Sequence, residues 1–145
     1  MTHLMAAAPF LSCARVAACL ATGLGVLAGP VGCHSTQAVH GERGVVATYM
    51  APTLSADLNG LRVPAVVAAS EMALREQGYS VLKAECTEDA GRVVARSPRY
   101  DTYPTLVVAA RVSPAGTRIE IREQPFWDEA VSRAVLDRVL QRLGL

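Results

Sequence analysis

The chain has 145 residues, 51% of them hydrophobic and 19% charged, with 14 lysines and arginines against 13 acids. Arg15 is the only lysine or arginine ahead of Arg43, so from Cys33 onward acids and bases balance. A nucleic-acid partner, which needs an excess of basic groups on one face, is therefore not expected. Once a leader of about 32 residues is set aside, the rest suffices for one domain of roughly 100 residues.

Behind Arg15, the stretch Val16 to Gly32 reads "VAACLATGLGVLAGPVG", uncharged and rich in small residues. A basic residue followed by such a run has the layout of a secretory signal peptide. At about 17 residues, broken by glycines and Pro30, it falls short of the ~20 apolar residues of a membrane-spanning helix. Val31-Gly32-Cys33 resembles a bacterial lipobox, in which a diacylglyceryl group joins the cysteine thiol and the signal peptide is cut just before it. Pro30 stands where that pattern prefers leucine. Val16-Ala17-Ala18-Cys19 fits the short motif more closely. Choosing it would leave an apolar start on the mature chain and no basic residue ahead of the leader's apolar run. Cys33 is thus the expected lipidation site, and residues 1–32 the signal peptide. His34, in place of aspartate after the cysteine, favours an outer-membrane address on the periplasmic side.

Residues 33–44 are expected to form a lipidated cysteine and a flexible tether, since "HSTQAVHGERG" is polar and shows no period. Such a segment would have an end-to-end distance of ~18 Å. The domain proper then spans 45–145. Val45 to Leu58 reads as one strand, with Met50, Leu54, Ala56 and Leu58 turned inward and Pro52 at an edge or bulge. "VPAVVAASEMALREQGY" has the helical stripe Val63, Val66, Val67, Ser70 and Leu74, with Pro64 near its start and Gly78 at its stop. Tyr79 to Cys86 alternates as a strand with Leu82, Ala84 and Cys86 inward, and "TEDAG" turns it into Arg92 to Arg96. Thr105 to Val112 and Thr117 to Arg122 form a hairpin around "SPAG". The closing helix buries Val131, Val135, Leu136, Val139, Leu140 and Leu143, while Glu129, Arg133 and Asp137 alternate in sign at four-residue steps. The expected class is α+β: a two-layer sandwich, an antiparallel sheet of about five strands with two helices on one face, in the order β-α-β-β-β-β-α.

The strand "ATYMAPTLSADL", the helix ending "ALREQGY", the pair around "GRVVAR", the strand "TRIEIR" and the close "FWDEAVSRAVLDRV" together resemble the small bacterial lipoproteins grouped as domain of unknown function 3568. The resemblance runs from about Val45 to Leu140, and Trp127 replaces a glycine usual in that family. It implies the lipoprotein address and this architecture, and no activity.

Beyond the leader the histidines are His34 and His40, both in the expected tether. A base on a floppy segment is not positioned for catalysis, so no Cys–His or Ser–His pair is expected. Two histidines also fall short of a zinc site, and no metal or cofactor is expected. Cys86 reads as a small buried hydrophobe, or alternatively as half of an intermolecular disulfide in an oxidising periplasm. In "FWDEA", Asp128 and Glu129 read as helix-capping acids, their adjacent side chains pointing about 100° apart and so not converging for catalysis, and Phe126 and Trp127 read as packed rings. Arg92, Arg96, Arg111, Arg118 and Arg122 fall on strand faces turned away from the helices, with Val81, Val94 and Val107 among them. That face is either solvated and laced with ion pairs or a docking surface for an envelope protein or an anionic envelope component. The function expected is a lipid-anchored, non-catalytic structural or protein-binding module. The alternative is an envelope enzyme or small-ligand binder with a cleft.

Overall fold

In the computed structural model, which describes residues 34–98 and 106–145, the chain runs as β1 (Ser35–His40), β2 (Val45–Met50), β3 (Thr53–Asn59), α1 (Val63–Glu76), β4 (Ser80–Cys86), β5 (Ala90–Arg96), β6 (Leu106–Ser113), β7 (Gly116–Glu123) and α2 (Glu129–Leu143). The strands form one sheet in the order β1-β2-β3-β7-β6-β5-β4, every neighbouring pair antiparallel. α1 lies over β4, β5 and β6, α2 over β7, β3 and β1, and the helices pack against each other. The expected α+β class with an antiparallel sheet holds, but the sheet has seven strands instead of about five.

Both additional strands come from the N-terminal part of the domain. Val45 to Leu58 is a hairpin, β2 and β3, and not one strand. Before its turn at Ala51-Pro52 the residues buried under the helices are Ala47 and Tyr49; after it they are Leu54, Ala56 and Leu58. The inward positions thus switch from odd to even numbers, and Met50, expected inside, is 54% exposed. The segment expected as a flexible tether contains β1, paired to β2 from Ser35↔Met50 to His40↔Val45. Its inward residues are Thr36, Ala38 and His40, too polar to signal a buried face. Gly41 and Gly44 bound the β1–β2 turn, each with φ +68°, a conformation that costs glycine little.

The helices follow the sequence closely. In α1, Val63, Val66, Val67, Ser70 and Leu74 are buried. The Ser70 hydroxyl donates to the Val66 carbonyl at 2.7 Å, which satisfies it inside the core. In α2 the Asp128 carboxylate accepts the Val131 N–H at 3.1 Å, the arrangement that satisfies a free donor of the first turn. Gly144 ends the helix in the left-handed conformation. Leu136 and Leu140 meet Leu54, Leu58, Ile119 and Ile121 in one core.

At the far edge, β4 departs from the expected alternation. A bulge between Val81 and Lys83 turns Val81 toward the helices and corrects its expected place among the arginines; Leu82 is left exposed. Cys86, expected to be buried, is exposed and free. α1 approaches the sheet over β5, where a Cβ on Gly91 would lie 2.4 Å from a Val67 methyl, and the end of β4 is left uncovered.

Gly116, at φ +145°, is held where an added Cβ would lie 2.5 Å from the Leu58 carbonyl oxygen and 2.7 Å from the Gly60 nitrogen. Both neighbours are backbone and neither moves cheaply. Gly116→Ala should lower the unfolding free energy in urea by about 1–3 kcal/mol. An unchanged midpoint would show that this turn reshapes freely.

Candidate functional site

On the face turned away from the helices, pairing places Arg92 and Arg96 on β5, Arg111 on β6, and Arg118 and Arg122 on β7. All five arginines singled out from the sequence share it, with Lys83, against the acids Asp57, Glu85 and Glu120. Three of the cations are compensated locally. Arg118 grips Asp57 with two hydrogen bonds, 3.0 Å from Nε and 2.6 Å from Nη2. Those bonds hold the Asp57 carboxyl below the usual aspartate range and push the Arg118 guanidinium up. Arg122 pairs with Glu120 at 3.1 Å, and Lys83 takes the Glu85 carboxylate at 2.6 Å. Arg96 is half-buried, and its Nε has no hydrogen-bond partner among the described residues.

Arg92 and Arg111 are left. Glu85 lies opposite Arg92 in register but is taken by Lys83, and Arg111 lies opposite Arg118, a like charge. Neither Arg92 nor Arg111 makes an ion pair among the described residues. They are diagonal neighbours across β5 and β6, a spacing of about 7–8 Å between backbones. With Arg122, Glu120 and Gln124 they ring a concavity of about 210 Å³ floored by Val107 and Ala109. That is smaller than the ~300–1,000 Å³ of small-molecule sites, and it suits a single anionic group on a larger surface.

A second constellation escaped sequence reading. The stripe Glu129, Arg133 and Asp137 on α2 meets the inward residues of β1. His40, only 8% exposed, lies with Nδ1 2.7 Å from Asp137 Oδ1 and Nε2 2.8 Å from Arg133 Nη1. A guanidinium can only donate, so Nε2 accepts and Nδ1–H donates to Asp137. Arg133 also donates to Glu129 at 2.6 Å and to the Thr36 hydroxyl at 3.1 Å, and that hydroxyl donates to Glu129 at 2.5 Å. These bonds, Thr36 first and then Arg133, lower the Glu129 pKa. Tyr49, beside them on β2, has its pKa raised by burial and then by the carboxylates of Glu129, Asp128 and Glu123. Because the one accepting nitrogen of His40 is taken by Arg133, the ring has no lone pair to offer a substrate. The cluster is a polar latch that fixes β1 to α2, which corrects the placement of His40 in a floppy segment. The four-residue charge alternation on α2 was its only sequence signal.

Cys33, the expected lipidation site, lies outside the described residues. Among the described residues no group of three or more His, Cys, Asp or Glu side chains is placed to hold a metal ion, and no helix is long and apolar enough to cross a membrane. No family model matches the chain, and no curated protein matches it either.

Removing the latch should loosen β1 before the rest. His40→Ala should cost about 1–2 kcal/mol, since it removes a buried ring that bonds half-buried Arg133 and exposed Asp137, and it should speed hydrogen exchange in Ser35–His40 more than in β7. Equal protection in β1 would mean that pairing with β2 alone holds it. The Asp57–Arg118 pair has a definite pH signature. A carboxyl depressed in the folded state contributes stability above the unfolded value of ~4 and loses it as pH falls through the depressed one. Asp57→Asn should therefore flatten the acid limb of the Tm–pH curve, with the difference from wild type vanishing at the lowest pH.

Proposed function

We propose that the chain is a lipid-anchored lipoprotein of the cell envelope, attached through Cys33, and that its domain is a non-catalytic docking module. The open sheet face receives an acidic patch of another envelope protein. The observation that carries this reading is the pair of guanidiniums, Arg92 and Arg111, that have no ion partner among the described residues and stand over the apolar floor of Val107 and Ala109. A face serving only as a solvated exterior gains by pairing its charges, as Arg118 and Arg122 do. Two neighbouring arginines left open are matched by a carboxylate-bearing partner, to which a guanidinium presents a planar fork of donors. The anchor rests on the lipobox-like Val31-Gly32-Cys33 and on the resemblance to the lipoproteins of domain of unknown function 3568. His34 after the cysteine favours the outer membrane.

In native cells grown with labelled fatty acid, the chain should carry label and Cys33→Ser should not. The double variant Arg92→Glu, Arg111→Glu should keep its label and lose the envelope protein cross-linked to a photoreactive group at Ala109. Equal labelling of both forms removes the anchor, and an adduct untouched by charge reversal removes the docking face.

A further inference from the structure

We infer that the end of the sheet where β1 begins is a seat for the bilayer surface, with Met50, Phe126 and Trp127 set into the lipid headgroup layer. This deepens the anchoring reading above and rests on it. Cys33 lies two positions before Ser35, the first residue of β1, and two residues of chain reach ~7 Å at most. One leaflet's headgroup layer is itself about 5–7 Å thick. Acyl chains on Cys33 therefore leave this end of the domain no room to stand clear of the membrane, in contrast to the ~18 Å of a flexible tether.

What the fold gathers at that end fits such a surface. Met50 pairs directly with Ser35 and is 54% exposed, and Phe126 and Trp127 are 56% and 64% exposed. The two aromatics immediately precede Asp128 and Glu129, and Glu129 is bonded to Thr36 next to Ser35. Large apolar side chains exposed at one end of a small domain are features of interaction sites, and tryptophan favours the membrane–water interface. The neighbouring described acids are each engaged within the fold. Asp128 is taken by the first turn of α2, Glu129 by Thr36 and Arg133, and Glu123 is buried. At the opposite end of the sheet, Arg43 and Gly44 in the β1–β2 turn would point away from the membrane, and the arginine face would stand sideways to it.

Trp127 is the chain's single tryptophan and serves as the probe. The full chain, isolated from its membranes, is placed in phosphatidylethanolamine–phosphatidylglycerol vesicles whose lipids carry bromine near the top of the acyl chain. Mass spectrometry of the same sample reads the state of Cys33. A Val46→Trp, Trp127→Phe chain reports the far end, at a position already exposed. The expected result is a blue-shifted Trp127 emission, quenched severalfold more than the probe at position 46. A lipidated chain whose Trp127 emits as in water, or is quenched no more than position 46, overturns the seat and leaves the anchor standing. An unmodified Cys33 overturns the anchor and the seat together.

Discussion

The fold depends on a pleated sheet that, among the described residues, is covered on one side only. Successive residues of each strand alternate between the helices and open solvent, so the apolar half of the pattern is spent under α1 and α2. The two layers do not match in width. Seven strands span about 29 Å between the outermost two, whereas two packed helices cover about 20 Å. The helices meet the middle of the sheet with apolar side chains, where Leu136 and Leu140 lie over Ile119 and Ile121, and run out toward its edges. At one edge Cys86 is left exposed. At the other, α2 reaches β1 with charged side chains, and the contact is the hydrogen-bonded group of His40, Arg133 and Asp137.

The same asymmetry frees the opposite face from core duty. Arginine is acceptable there because no described residue packs over it; Asp57 on β3 neutralises Arg118, and Glu120 on the same strand neutralises Arg122. What distinguishes Arg92 and Arg111 is their register: one faces an acid already committed to Lys83, the other a like charge. Register, more than composition, decides which cations stay available.

How much of this was legible in the sequence follows from how strong each local signal was. The helices carried both a 3.6-residue stripe and end markers, Pro64 and Gly78 for α1, Asp128 and Gly144 for α2, and their positions followed. "TRIEIR" alternates without interruption, and β7 was plain. β1 was missed because its inward residues are Thr36, Ala38 and His40, so its burial is polar and has no apolar period. The β2–β3 hairpin merged into one strand because the turn at Ala51-Pro52 is short and the inward parity changes across it. A single extra residue in β4 put Val81 on the wrong face, the general hazard of a period of two. The arginine face was legible because strand parity alone assigns it. The His40 group was not, because it joins residues more than ninety positions apart, from Thr36 to Glu129 and His40 to Asp137.

The position of β1 also has a mechanical meaning. It is the outermost strand of the described sheet, bonded there to β2, and tension applied through the segment before it would enter the domain at this strand. A pull along its axis would load all of its rungs to β2 in shear at once, whereas a pull across it would peel them one at a time. The side-chain clasp to α2 adds a second support off the sheet axis, so a domain pulled through β1 would give way as a unit and not fray from that strand.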